Sequence, residues 1–392
     1  MLIVEKYGGS SVATTQQIKD IAKHIKKETE KGNKVVVVVS AMGKTTNGLI
    51  SLSKEITDKP NLREMVILLS TGELQSVSLL SIALADIGVK AISLSGWQAG
   101  IVTNENFSKA FIKKIKISNV QKHLNENKVV IIAGFQGITE KGEITTLGRG
   151  GSDTTAVAIA SALGCSCNIY TDVFAVCTTD PKILPNAKHL HQMTFDEMME
   201  LSVGGAKVLE TRSVELAKIY NVDLYLGKSL EDDKTKGTKI MNKKNFEDVA
   251  ITGIGIKENM TVFSVETNNF DYSEILPAFK VLEGNNLEML TQTQKDDGFI
   301  FTFALPTEKK DFVAEALGKN VKLHTYDNLA KITVVGTGLA THSKIASKIF
   351  NTLSENGMKF FNISLSEISI AFTVEKENVN KVVHILARLF NL

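Results

Sequence analysis

Five consecutive valines, Val35–Val39, offer water no polar face. A short run that is apolar on both sides marks a strand covered by helices above and below, the situation of a parallel sheet. Val129–Ala133 repeats the pattern, and around both runs short β-branched segments alternate with helical ones. The expected strands are Leu2–Lys6, Lys34–Ser40, Val89–Ser93, Lys128–Gly134, Cys167–Thr171 and Asp223–Leu226. Between them helices are expected over Thr15–Glu30, Met65–Ile87, Phe107–Asn125, Asp153–Leu163, Thr194–Leu201 and Lys207–Tyr220. This α/β alternation predicts an open, mainly parallel sheet sandwiched by helices, with right-handed crossovers and ligands beyond the carboxyl ends of the strands.

At 392 residues the chain exceeds one compact core. Residues 1–228 carry the α/β pattern, and Ser229–Glu247 is charged and Lys-rich, so 229–248 reads as a linker. The rhythm then shortens. Residues 257–327 spell βαββαβ, whereas 328–392 spell βαββα, one strand short. Val249–Ile256 has no partner of its own and is expected to supply that strand, with the first α+β unit inserted into the second. Lys plus Arg is 45 and Asp plus Glu is 43, a near-balance that points to no nucleic-acid partner. The apolar runs are strand-sized and too short for a membrane span, and Met1–Lys6 is too short and polar for a signal peptide. Three cysteines, Cys165, Cys167 and Cys177, fit a reducing, cytoplasmic setting. Their spacing to His189 and His191 matches no common zinc pattern, so no metal site is assigned from them.

The polar residues that follow the strands carry the chemistry. Lys6-Tyr7-Gly8-Gly9-Ser10-Ser11 joins a cation to two glycines that let backbone N–H groups approach an anion. A tight strand-to-helix turn would also explain it. Ser40–Asn47, which contains Thr46, is expected to be a ligand-lining loop. Leu147–Thr155 is the most specific stretch. Arg149 suits a carboxylate clamp, Gly150 and Gly151 permit close approach, and Asp153 occupies what reads as a helix N-cap, with Ser152 before it. Polar residues at Thr171-Asp172 and Thr179-Asp180-Pro181-Lys182 suit a nucleotide, although turn chemistry also accounts for Asp180-Pro181. Lys207, before Val208, is expected at a helix start, where a cation opposes the dipole and calls for an anionic ligand.

In this order the segments resemble the amino acid kinase family, specifically the aspartate kinases, together with Leu69–Glu73 and Ser95–Gly100; the C-terminal pair resembles two ACT domains, most clearly at Ile363–Ile370. The resemblance implies phosphoryl transfer from Mg-ATP to the side-chain carboxylate of L-aspartate. It implies catalytic roles for Lys6, Asp153 and Lys207, and ATP binding by Gly8, Gly9, Ser10, Thr171, Asp172, Thr179, Asp180, Lys182 and Val208 with the two lysines. Aspartate would be held by Ser40, Thr46, Glu73, Arg149, Gly150, Gly151, Ser152 and Asp153. It further implies a homodimer or homotetramer through the ACT units and an amino-acid effector, lysine or threonine. The chain departs from the family at Phe174-Ala175 and Cys177 (usually Asp-Gly, then tyrosine), at Lys182 (arginine) and at Glu210-Thr211 (His-Pro). The first ACT unit lacks a glycine loop at Thr267–Asp271, while the second keeps Gly336-Thr337-Gly338. Two other readings stay open: a different amino acid kinase, and a catalytically weak relative serving as a regulatory subunit.

Overall fold

The valine run lies inside an eight-stranded sheet. The computed structural model describes residues 1–231, 233–242, 251–268, 273, 276, 288–317, 322–339 and 343–392. These divide into two units, one comprising Met1–Val176, His189–Met199 and Lys207–Lys244, the other Cys177–Lys188, Glu200–Ala206 and Asn245–Leu392.

The chain opens with β1 (Leu2–Tyr7), α1 (Thr15–Glu30), β2 (Lys34–Val39), α2 (Thr45–Ile56), α3 (Leu62–Asp86) and β3 (Ala91–Leu94). Next come β4 (Ile101–Thr103), β5 (Ile112–Ile115), α4 (Ser118–Asn125), β6 (Val129–Ala133), β7 (Gln136–Thr139) and β8 (Ile144–Thr146). Then follow α5 (Gly151–Leu163), β9 (Cys167–Thr171), β10 (Val176–Cys177), β11 (His189–Leu190) and β12 (Gln192–Met193). After α6 (Phe195–Val203) and α7 (Thr211–Ile219), β13 (Leu224–Lys228) and β14 (Thr238–Ile240) close the α/β pattern. The large sheet has the order β12-β14-β13-β9-β1-β2-β6-β3, and β5-β4-β7-β8 form a smaller sheet. β1, β2, β3, β6, β9 and β13 are mutually parallel; β14 runs antiparallel to β13.

Strand alternation places Val35, Val37 and Val39 in one core with Ile18, Ile21 and Ile25 of α1 and Val77, Leu80 and Leu84 of α3. Val36 and Val38, fully buried, face the side on which α5 packs. Burial of each valine contributes about 1.5–3 kcal/mol. α1 begins where its sequence says it should, because Thr14 and Gln17 form a reciprocal capping box. α3 is long and apolar enough to cross a membrane by length and composition. Here it packs on α1 and on β2, β3 and β6, burying Glu73 and three serine or glycine positions alongside its aliphatic face.

Three expectations need correction. The helix foreseen over Phe107–Asn125 is helical only from Ser118; Ile112–Ile115 is β5, paired with β4. The Asn104 side chain accepts from the Phe111 N–H at 2.9 Å and closes that connection, so local turn chemistry prevailed over the helical spacing of the isoleucines. The loop foreseen over Ser40–Asn47 ends at Lys44, and Thr46 lies in the first turn of α2. The linker foreseen over 229–248 contains β14, whose Thr238 and Ile240 are fully buried, so those residues complete the first unit's sheet.

In the second unit one six-stranded sheet has the order β16-β17-β15-β18-β20-β19, where β15 is Ile251–Asn268, β16 Glu288–Lys295, β17 Gly298–Pro306, β18 Lys322–Gly336, β19 Phe361–Leu365 and β20 Ser369–Glu375. The segments read as separate strands at 249–256 and 261–266 are, from Ile251 on, continuous in β15, and those at 321–326 and 330–336 are, from Lys322 on, continuous in β18. Ile251–Lys257 pairs with Lys331–Gly336, and Val262–Glu266 with Lys322–Tyr326. Register shifts between Lys257 and Val262, with Asn259 and Asn328 both at positive φ, mark the break between the two halves. Helices Ser343–Glu355 and Val379–Phe390 cover the half that contains β19 and β20. Apart from residues 273 and 276, the helix expected over Ser273–Glu283 lies outside the described residues, as does most of the Thr267–Asp271 loop.

Candidate active site

β1, β2 and β9 run parallel, so their polar termini emerge together at one edge of the sheet. The turn after β1 and the loop after β2 touch through their backbones: Gly43 N donates to Gly9 O at 3.0 Å, and a Cβ on Gly9 would lie 2.8 Å from Ala41 O. A side chain at position 9 would therefore push the two loops apart. Gly8 N donates to Tyr170 O at 3.2 Å, so of the three N–H groups expected to meet an anion, that of Gly8 is engaged within the protein. The N–H groups of Gly9 and Ser10 have no backbone partner among the described residues.

Alternation turns Lys6 away from the α1 side and toward α5. Its ammonium lies 2.6 Å from Asp153 Oδ1, and both residues are nearly buried. Asp153 was expected at the N-cap. Instead Gly150, at φ 65°, is the cap residue, the helix begins at Gly151, and Asp153 is its third residue with no side-chain capping bond. The glycine takes the left-handed conformation that an Asp cap would not need, and the carboxylate is left to meet Lys6. An ammonium held on one side by a carboxylate retains N–H donors for a second anion.

On the other side of the β1 turn, Glu73 projects from α3 and is 4% exposed. Its Oε1 accepts from Ala41 N at 3.3 Å, and its Oε2 has no partner among the described residues. Burial pushes its carboxyl up to about 7, against two backbone N–H groups that pull it down. A buried, half-satisfied carboxylate beside the end of β2 is suited to a cationic ligand. Arg149 is exposed between Gly148 and Gly150, which sit at φ 81° and 65°. A Cβ on Gly150 would fall 2.3 Å from Glu210 Cβ, so the turn lies directly on the residue preceding α7. Burial raises the Glu210 carboxyl; Arg149 opposes the rise and Asp153 adds to it. Ser152 is nearly buried, and a Cβ on Gly134 would lie 2.6 Å from its Oγ.

Residues 1–228 match the sequence model of the amino acid kinase family, and residues 332–390 match that of the ACT domain. The aspartokinase of Bacillus sp. (strain MGA3) is 41% identical over 402 residues, covering all of this chain and 97% of that one. Aspartokinase 2 of Bacillus subtilis (strain 168) is 40% identical over 401 residues, covering all of this chain and 98% of the other. This chain belongs to the aspartokinase family. Its fold is also that of E. coli aspartokinase III, solved in complex with aspartate and ADP, with a TM-score of 0.83 over the full length of both chains at 24% identity.

In this aspartokinase the residues foreseen for the nucleotide fall in both units. Thr171 ends β9 and its Oγ1 accepts from Val173 N at 3.0 Å, while Asp172 is exposed. Thr179, Asp180 and Lys182 belong to the second unit, where Asp180 Oδ1 accepts from Lys182 N at 2.9 Å, the turn that Asp180-Pro181 foreshadowed. Lys207 is exposed, and α7 begins only at Thr211, so the expected opposition between its charge and a helix dipole does not arise. Val208 follows it, half-buried. Two contacts escaped the sequence reading. Ser11 Oγ bonds Ser229 Oγ and ties the glycine turn to the end of β13. Arg212 grips two carbonyls beside the Arg149 turn. Ser11 ends the Lys6–Ser11 motif, but its partner Ser229 stands 218 positions away, and a helical arginine gives no signal until the chain is folded.

Proposed function

We propose that this aspartokinase transfers the γ-phosphoryl group of ATP to the side-chain carboxylate of L-aspartate, giving 4-phospho-L-aspartate and ADP. The observation that carries this reading is the Lys6–Asp153 ion pair, set between the Gly8-Gly9 and Gly150-Gly151 turns at the sheet edge. A carboxylate oxygen of aspartate attacks the γ-phosphorus, the bond to the bridging β–γ oxygen breaks, and its electron pair leaves with ADP. The nucleophile is already ionised, since a free aspartate side chain has a pKa of about 3.9, so no general base is needed. Catalysis then rests on bringing two anions together in line and on compensating the charge spread over the phosphoryl oxygens.

In this assignment Lys6, oriented by Asp153, meets the transferring phosphoryl group with the N–H groups of Gly9 and Ser10, and Lys207 adds a second cation. Arg149 clamps a substrate carboxylate, Glu73 takes the ammonium, and Ser40, Thr46, Gly150, Gly151 and Ser152 line the space between. Thr171, Asp172 and Val208 of the first unit serve the nucleotide. Among the described residues no three His, Cys, Asp or Glu side chains converge. That donor set fits Mg2+ carried chiefly by the nucleotide phosphates, with Asp153, beside Lys6, as the protein carboxylate that would meet it. The ion would add charge neutralisation at the phosphoryl oxygens.

Regulation belongs to the same reading. Residues 249–256 with 328–392 form one ACT unit and 257–327 the inserted other, and their pairing between chains in a homodimer or homotetramer would create sites for lysine or threonine. The free thiols Cys165, Cys167 and Cys177 fit a cytoplasmic setting. The test is ADP release coupled to aspartate, with the acyl phosphate trapped as its hydroxamate. Aspartate-dependent hydroxamate supports the reading; ATP turnover or hydroxamate that is independent of aspartate refutes it. Adding lysine or threonine to the same assay tests the sensor.

A further inference from the structure

Arg149 sits between two left-handed glycines, and glycines hold nothing in place by packing. Its position must be fixed from the flanks. On the exit side, α5 does this. On the entry side, Arg212, the second residue of α7, donates from Nη1 to Leu147 O and from Nη2 to Ala110 O, each at 2.9 Å. Its guanidinium carbon also lies 4.8 Å from the ring centroid of Phe111. The two carbonyls belong to segments already joined by Ala110 N donating to Thr146 O at 2.9 Å. One planar fork therefore spans the connection after β4 and the start of the glycine turn, a geometry that an ammonium cannot reproduce. Glu210, two residues earlier, closes on Gly150, the residue that follows Arg149.

We propose that Arg212 is a positioning residue that sets Arg149 in register to receive the substrate carboxylate. The inference rests on the assignment of Arg149 to aspartate. It places specificity partly in a residue that touches no substrate.

The test compares Arg149→Ala, Arg212→Ala and Arg212→Lys in the full-length enzyme, measuring KM for aspartate and for ATP separately, Tm, and rescue by added methylguanidinium. Misplacing a binding group can cost on the order of a hundredfold, so Arg212→Ala is expected to raise KM for aspartate on the order of ten- to a hundredfold. KM for ATP should stay within about twofold, since no nucleotide contact is assigned to this turn. Methylguanidinium should restore aspartate affinity to Arg212→Ala, and Arg212→Lys should fall between the two. Equal changes in both KM values, or a lowered Tm with aspartate affinity untouched, would mean a purely structural staple and overturn the proposal. If Arg212→Ala does not fold, the KM split of Arg212→Lys decides alone. Should Arg149→Ala leave KM for aspartate unchanged, the substrate assignment itself fails; if Arg149→Ala raises it and the Arg212 variants do not, only the positioning role fails.

Discussion

Replacing Glu73 by glutamine separates two consequences of one buried carboxylate. Burial raises this carboxyl from 4.5 to about 7. A folded-state value above the unfolded one means that the native protein retains a proton which the unfolded chain has released. Below pH 4.5 both states are protonated and there is no penalty; the penalty grows between pH 4.5 and 7 and is fully present above 7. Its full size is about 3 kcal/mol. Glutamine copies the protonated acid and keeps the acceptor for Ala41 N, so Glu73→Gln removes ionisation and little else. At about 2–4 °C per kcal/mol, the variant is expected to melt about 6–12 °C above the parent at pH 8, with most of the gain lost by about pH 5. Binding should move the opposite way. A hydrogen bond to a charged group is worth about 1.5–3 kcal/mol, so KM for aspartate should rise about ten- to a hundredfold with KM for ATP unchanged. In the parent, one pH unit below the carboxyl's pKa leaves about a tenth of it ionised, so aspartate affinity should fall about tenfold between pH 8 and pH 6, a slope absent from the variant. Thermal melts and initial rates across pH 5–8.5 decide the matter. A stabilised variant with normal KM would leave Glu73 as a core acid without a substrate, and a variant with no pH-dependent gain in Tm would refute the burial argument.

Lys6→Met should lower kcat about 100- to 1,000-fold, the effect of losing one preorganised charge in the transition state, while Asp153→Asn, which keeps the shape, should cost less; single-turnover rates distinguish chemistry from product release. Gly150→Ala places a β-carbon in the left-handed region and 2.3 Å from Glu210 Cβ, so a loss of about 1–3 kcal/mol is expected in denaturant titration, partly recovered by adding Glu210→Gly. Thr14→Ala breaks the capping box of α1 and should cost about 1 kcal/mol by the same titration, without altering either KM.

The elements that the sequence announced are those in which a local signal and the tertiary demand coincide. Val35–Val39 is apolar on both faces and is covered on both; Thr14 and Gln17 cap α1 at the expected residue. α2 was missed because it shows no buried stripe: only Ser53 among its residues is buried, and its first turn reads Thr-Thr-Asn-Gly, a turn composition. The small sheet was missed because its strands span three or four residues and exist only by pairing with one another. At the site, the glycine turns could be read because left-handed backbone at Gly148 and Gly150 and the close approach of a second loop at Gly9 demand glycine. The Lys6–Asp153 contact could not be derived from either segment alone, since 147 positions of chain separate the partners and only the β1–α5 packing joins them. Lys207 shows the converse error: its place beside a helix was legible, but the helix starts four residues later.

The register of β1 matters more than its length, because successive residues serve opposite faces. Lys6 turns toward Asp153. Glu5 and Tyr7 turn into the α1 side, where Tyr7 Oη donates to Glu5 Oε2 at 2.9 Å, Tyr170 Oη lies 3.5 Å from Oε1 and His24 Nε2 lies 3.7 Å from the same oxygen. Burial, with the adjacent Glu5 charge, holds both phenols above their ordinary range, so they remain protonated donors. A slip of one residue would bring Glu5 or Tyr7 to Asp153 and drive the Lys6 ammonium among tyrosines and aliphatic side chains, leaving charges unmatched on both faces. A plain aliphatic strand would stabilise the sheet as well, yet would tolerate that slip at far lower cost. The buried acid thus contributes specificity of register, and through it the placement of the lysine that the chemistry requires.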